Sequence, residues 1–382
     1  WDLVCGRKTR RQLAQSIYMG GVLVGAIILG GLSDRYGRRA LLIWSYFQLA
    51  VSGVCAAFSP NYLSYCIFRF LTGMALSGIG LNTTALSMWE LLSTNQQVAF
   101  TGHLFKSKCL IGCYGLLPPG KLSAIYYIRE WFPESARWLV LSGKPEKAVK
   151  EIRKVANLNG KKEEGEKITL EVWEMIKELA SAKSSYSVID LVRTNTIRRI
   201  SCALSLVWFS TSFAYYGLAM DLQKFNVSIY LIQVIFGAVD FPAKLVSATA
   251  MIYVGRKFTQ FMSLILGGIA IIANIFVPNE LQTVRTSLAV FGKGCLAASF
   301  SCIFLYTTEL YPTVIRQSGM GLGTMMARLG GIIAPLAQMT GDIYHSLPLI
   351  IFGCLPILSG IAGCFLPETL GVPLPETIED VE

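Results

Sequence analysis

Lys244 and Arg328 place full positive charges inside long apolar runs of this sequence. Lys244 stands eleven residues before Gly255, about 16 Å from that end at 1.5 Å per helical residue. Arg328 stands ten residues beyond Ser318, about 15 Å in. A cation that deep in a ~30 Å hydrocarbon layer is costly, and it faces either a partner or a cavity. For Lys244 a partner is at hand. Asp240 precedes it by one helical turn, in the acid-first order that favours pairing, so a buried Asp240–Lys244 ion pair and a solute-facing or gating role both stay open. Arg328 has no acid on its own run, and a planar guanidinium can hold a carboxylate through two parallel hydrogen bonds. Within the apolar runs Arg69, Lys244, Lys293 and Arg328 outnumber Asp240, a balance that suits anions and leaves no spare acid for a cation.

Aromatic side chains are spaced to share this site. Trp208, Ser212 and Tyr215 fall on one helical face, with Tyr216 beside it, and Phe300 and Phe304 form an i, i+4 pair. Aromatic walls with one cation fit amphipathic carboxylates such as aryl acids; the same spacing also serves packing or lipid contact. Nothing in the chain has the form of a hydrolase or metal centre. The ten cysteines include no CxxC pair, Cys109 and Cys113 make a lone CxxxC, and His103 and His345 are the only histidines. No nucleophile–base pair or metal-ligand set is found, so neither an enzyme nor a cofactor is expected.

The elements that must position these residues are membrane spans. The chain is 53% hydrophobic and 15% charged, with mean hydropathy +0.50, against about 25% charged residues in soluble domains. Apolar runs cover about 13–33, 40–58, 62–86, 201–222, 228–254, 258–277, 284–306, 318–339 and 348–366, with an unclear stretch at 104–132. Each clear run approaches or exceeds the roughly 20 residues that cross a bilayer. The net charge of +10 does not signal nucleic acid, because the cations lie in short loops between runs. Arg35, Arg38, Arg39, Arg256, Lys257 and Arg316 mark the cytoplasmic loops by the positive-inside rule, so the first run descends from outside to inside. A further helix is then expected upstream of Trp1. Arg7, Lys8, Arg10 and Arg11 run against this topology.

The two halves repeat each other. Gly37-Arg38-Arg39 recurs as Gly255-Arg256-Lys257, Glu90 as Glu309, and Pro133-Glu134-Ser135 as Pro367-Glu368-Thr369. The third pair is offset further than the first two, so the first half is short where its fifth and sixth helices belong, and these are expected to be abnormal. Parallel repeats of this kind bind solute near the bilayer midplane. Gly30-Gly31-Leu32-Ser33-Asp34-Arg35-Tyr36-Gly37-Arg38-Arg39 occupies a tight turn between two spans, where glycine permits the turn and the charges can latch and release the inner face. Ile252 replaces the acid in the second copy. Gly21 and Gly25 form a GxxxG that permits close helix packing. Asn82-Thr83-Thr84, inside a span, and Asn226-Val227-Ser228, in a very short loop, match the glycosylation pattern by chance.

That turn is similar to the major facilitator motif. Pro133-Glu134-Ser135-Ala136-Arg137-Trp138, the Glu309–Arg316 segment and Pro367-Glu368-Thr369-Leu370 resemble the organic ion transporter family of solute carriers. Phe213-Ala214-Tyr215-Tyr216-Gly217, the Val239–Lys244 segment and Met326-Ala327-Arg328 resemble its organic anion transporter branch. The likeness covers 1–81 and 133–382 and fails over 82–132, where Trp89-Glu90 reverses the family's order. The chain also lacks the family's first helix and large outer loop. The resemblance implies an all-α major facilitator fold of two six-helix halves in the plasma membrane. It implies solute contacts at Arg328, Lys244, Tyr216, Phe300, Phe304, Tyr215 and Trp208. It implies gating roles at Gly31, Asp34, Arg35, Gly37, Arg38, Arg39, Glu134, Arg137, Glu309 and Arg316. Exchange of small organic anions against a dicarboxylate follows from the resemblance alone.

The organisation expected is an N-terminal half over 1–138, a cytoplasmic helical loop over 139–200, a C-terminal six-helix half over 201–366 and an acidic cytoplasmic tail over 367–382. In the loop, Pro145 opens an amphipathic helix ending near Gly160, and Leu170, Trp173, Ile176 and Leu179 mark one face of a second. Two other readings stand beside an anion transporter. One is a carrier of cations or zwitterions, which the surplus positive charge disfavours. The other is a non-transporting product of a decayed or misassembled gene, which the short stretch at 82–132 would suit.

Overall fold

A computed structural model of the chain describes residues 8–87, 134, 138–139, 143–158, 190–220, 229–278, 280–312, 315–344, 346–375 and 378–381. The 104–132 stretch, Arg137, Glu90 and the Leu170–Leu179 face lie outside the described residues, as does the side chain of Asp34. Among the described residues the long elements are all helices: α1 (Lys8–Tyr36), α2 (Arg38–Ala57), α3 (Tyr62–Ser87), α4 (Pro145–Leu158), α5 (Asp190–Arg193), α6 (Asn195–Met220), α7 (Ile229–Tyr253), α8 (Arg256–Phe276), α9 (Gln282–Leu310), α10 (Arg316–Gln338) and α11 (Leu347–Gly363). Eight of them are long and apolar enough to span a membrane, and α11 is a shorter apolar helix. Helix is what lipid demands here, because only a helix or a closed barrel satisfies every backbone N–H and C=O without water.

The chain divides into two compact units, Gly20–Ser184 and, separately, Trp1–Met19 with Ser185–Glu382. In the first, α1 packs on α3 at the GxxxG expected to allow it. A Cβ at Gly21 would lie 2.1 Å from the Phe70 carbonyl oxygen, and one at Gly25 would lie 2.6 Å from the Met74 Cα. Asn82 is buried on α3 and donates to the Gly78 carbonyl, so this position does not present a glycosylation acceptor. Helix α4 confirms the amphipathic reading. Its Ala148 is buried with Leu139, and Trp138, Val149 and Ile152 pack around them.

The second unit is a bundle of α6 to α11 around one apolar core that includes Trp208, Leu264, Leu296, Ile303, Tyr306 and Phe352. Polar side chains tie its helices together. The Ser210 hydroxyl on α6 donates to that of Ser359 on α11, and Gln260 Nε2 on α8 donates to Ser299 Oγ on α9 at 2.6 Å. Ser299 also lies 3.1 Å from Thr211 Oγ1 on α6. In a bundle without a hydrophobic drive between helices, such contacts and small-residue packing supply the cohesion.

Candidate solute site in the C-terminal unit

Helices α6, α7, α9 and α10 carry the expected site residues. On α7 the Asp240 carboxylate does not reach Lys244. It accepts from Lys293 Nζ on α9 at 2.7 Å and from the Tyr215 hydroxyl on α6 at 2.9 Å. Lys293 also donates to the Phe236 carbonyl oxygen at 2.5 Å, and its ammonium lies 4.9 Å from the Tyr215 ring centroid and 5.2 Å from that of Phe236. The side chains of Lys293 and Asp240 are 6% and 22% exposed. The expected Asp240–Lys244 pair is therefore corrected to Asp240–Lys293. The helical i, i+4 rule names residues that can meet on a helix surface, and a closer cation on a neighbouring helix overrides it.

Lys244 is half-buried and makes no hydrogen bond or ion pair with any of the described residues. The same holds for Arg328, half-buried on α10, whose electrostatic neighbours include the phenols of Tyr216 and Tyr18. Among the described residues, Lys244 and Arg328 are thus the cations left over in the interior of the unit's spans once Asp240 and Lys293 have neutralised each other.

The aromatic residues form one continuous ribbon. Trp208 meets Phe304 edge-on with centroids 4.6 Å apart and meets Phe300 at 6.4 Å. Phe300 meets Tyr215 edge-on at 5.4 Å, and Tyr215 meets Tyr216 at 5.6 Å. Trp208 itself is 1% exposed, and its indole N–H donates to Thr307 Oγ1 at 3.0 Å. It stands behind the wall, supporting Phe300 and Phe304, and its expected place in the lining is corrected on that ground. Tyr215, Tyr216 and Phe300 are half-buried, and Phe304 is 46% exposed.

The family model described as sugar (and other) transporter matches residues 122–380, and that of the major facilitator superfamily matches residues 9–93. Solute carrier family 22 member 6-A of Xenopus laevis is 72% identical, with all of this chain aligned to 71% of that protein. The chain belongs to solute carrier family 22. Organic anion transporter 3 of Mus musculus is 50% identical over all of this chain and 74% of its own length. The alignment with the Xenopus protein runs over 401 positions against the 382 residues here, so that relative carries additional residues within the aligned stretch. Among solved structures, the xylose transporter XylE from E. coli in a partially occluded inward open conformation superposes with a TM-score of 0.72. The identity is 16%, covering 96% of this chain and 90% of that one. At that identity the likeness shows the fold alone, and the fold is the major facilitator one.

The motif residues of this solute carrier resolve into two equivalent caps, one in each unit. Gly37 and Gly255 precede α2 and α8 with φ of 96° and 107°, a left-handed backbone in which a side chain would be strained. Glu134 accepts from the backbone N–H groups of Arg38 and Arg39, each at 3.1 Å. Glu368 accepts from those of Arg256 at 2.8 Å and Lys257 at 3.0 Å. Each glutamate satisfies donors that a helix N-terminus leaves without an intrahelical partner, and its charge suits the positive end of the helix.

In the second copy Arg256 also grips Glu309, with Nε and Nη2 each 3.0 Å from a carboxylate oxygen. The Thr369 hydroxyl completes that carboxylate. Arg316 donates to the Tyr311 carbonyl oxygen at 3.2 Å. Gly31 and Arg35 are exposed near the end of α1, with the Arg35 guanidinium 5.6 Å from the Tyr36 ring centroid. Sequence reasoning left out Arg256 as the partner of Glu309 and Glu368 as a cap. The repeat could have supplied the second, since Glu368 is the counterpart of Glu134.

Proposed function

We propose that this solute carrier moves small amphipathic organic anions across the plasma membrane by alternating access. The observation that carries the reading is the charge balance of the C-terminal unit. Asp240, the one acid described in the interior of its spans, is consumed by Lys293, which leaves Lys244 near that pair and Arg328 near Tyr216 at one end of the aromatic ribbon. An organic cation brought to such a site would meet no counter-charge and two repulsive ones, whereas a carboxylate would gain both. Arg328 supplies the directional contact, since its fork can match both oxygens of a carboxylate while Lys244 acts as a point charge. Tyr216, Phe300 and Phe304 supply apolar surface for the organic body. The names of the relatives agree with this reading, and exchange against a dicarboxylate is the coupling the family resemblance suggests.

The test is uptake of a labelled aryl carboxylate against a labelled quaternary amine in cells expressing the chain. Carboxylate uptake is expected to exceed amine uptake and to be lost in Arg328→Ala. Arg328→Lys retains charge without the fork, and is expected to weaken uptake about tenfold while leaving surface expression unchanged. Amine uptake above carboxylate uptake, or full carboxylate uptake by Arg328→Ala, would sink the reading.

A further inference from the structure

The face of α7 that carries Asp240 is turned toward α9. Lys293 Nζ reaches Asp240 Oδ1 and the Phe236 carbonyl oxygen. A Cβ at Gly294 would lie 3.1 Å from Val239 and 3.7 Å from Ala243, and the Ser247 hydroxyl donates to the Ala298 carbonyl oxygen at 3.1 Å. Lys244 stands between the first and last of these contacts. Because α7 stays helical from Ile229 to Tyr253, Lys244 lies one turn, about 6 Å, along the axis from Asp240. An acid and a cation in that order and spacing pair when nothing else claims the acid. Here both carboxylate oxygens are claimed from other helices, Oδ1 by Lys293 and Oδ2 by the Tyr215 hydroxyl. The Lys293 ammonium is also enclosed by the rings of Tyr215 and Phe236, and its side chain is 6% exposed. A cation so enclosed gains more from a counter-charge than half-buried Lys244 does, which explains the order of pairing.

We propose that Lys293 is a positioning residue that determines specificity: it touches no solute, and it keeps the site selective for anions by withholding Asp240 from Lys244. The proposal rests on the anion reading above and deepens it. With Lys293 in place, Lys244 is left over to meet a carboxylate. Without Lys293, Asp240 Oδ1 is released, the carboxylate turns along its own helix to Lys244, and that cation is neutralised. A solute carboxylate would then meet Arg328 alone, in a site whose net charge is lower by one. Tyr215 shares the task by holding Oδ2, so its hydroxyl serves anion selectivity without donating to the solute.

Two measurements on the purified chain in lipid nanodiscs test this, one of them without solute. Lys293→Met is the variant of choice, because a thioether of similar length offers Asp240 no donor. In thermal unfolding, Lys244→Met is expected to shift the midpoint little in the wild type. In the Lys293→Met background it should lower the midpoint clearly, since it then removes the new partner of Asp240. Equal shifts in the two backgrounds would overturn the proposal. In binding of tritiated 2-naphthoate, Lys293→Met is expected to weaken affinity about tenfold or more, and adding Asp240→Asn to restore it, since Lys244 is then left over again. Wild-type affinity in Lys293→Met would overturn the proposal. So would a double variant that stays as weak, because Lys293 would then act on the solute or on packing directly. Should Lys293→Met alone fail to fold, the double variant carries the test: wild-type affinity supports the proposal, and a loss of about tenfold overturns it. Absence of saturable naphthoate binding by the wild type would count against the anion reading, while the unfolding comparison still decides the pairing.

Discussion

Asp240 and Lys293 neutralise each other between α7 and α9, where their side chains are 22% and 6% exposed. Removing one partner of such a buried pair typically costs about 3–5 kcal/mol, because the other is left charged and unpaired, whereas removing both can be nearly neutral. Asp240→Asn and Lys293→Gln are each expected to lower the thermal midpoint and the monodisperse yield in detergent. The double variant Asp240→Asn, Lys293→Gln should recover most of that loss. Asp240→Asn combined with Lys244→Gln should recover none, and its recovery would restore the helical-neighbour pairing. This residue also marks how far a single sequence can be read. The spacing of Asp240 and Lys244 is visible along the chain, but Lys293 is 53 positions away on another helix, and no local pattern announces it. The same limit applies to Trp208, whose helical face matched that of Tyr215 although its burial was decided by Thr307 and Phe304 from α9.

At the scale of elements, much more could be read in advance. The nine clear apolar runs correspond to nine described helices of matching place, because length and hydropathy alone decide what spans a bilayer. The repeat was equally legible, and the equivalent roles of Glu134 and Glu368 give it a physical basis. For Glu368, burial pushes the carboxyl upward, but four backbone N–H groups, those of Arg256, Leu370, Thr369 and Lys257, outweigh it and hold the group below its ordinary value. A depressed carboxylate contributes stability above its unfolded-state value and loses it as pH falls through the folded one. Acidification below the ordinary glutamate range, roughly pH 4.3, should thus loosen the start of α8. Thermal midpoints measured from pH 6 down to about pH 3.5 are expected to fall less steeply for Glu368→Gln than for the wild type. Parallel curves would show that the cap does not carry that charge.

For the whole molecule, the remaining prediction is which side of the membrane each turn faces. The turn at Gly37 carries Arg35, Arg38 and Arg39, the turn at Gly255 carries Arg256 and Lys257, and α4 exposes Lys147, Lys150 and Arg153. In the first unit Trp138 links two of these, because it lies against Gly37 and also packs in the small cluster under α4. The turn between α8 and α9, by contrast, has Glu280 and no basic residue. Against these stand Lys8, Arg10 and Arg11 at the other end of α1. The positive-inside rule counts cations in short loops near the ends of spans, and several loops acting together outweigh one. The capped turns and α4 are therefore expected in the cytoplasm, with Glu280 and the Lys8 end of α1 outside. In a cysteine-free background, Glu280→Cys should react with a membrane-impermeant maleimide on intact cells, and Lys144→Cys only after permeabilisation. Labelling of Lys144→Cys on intact cells would mean that the basic start of α1 dictates insertion. Arg328 would then still lie at the same depth, but the site proposed around it would be entered from the opposite side.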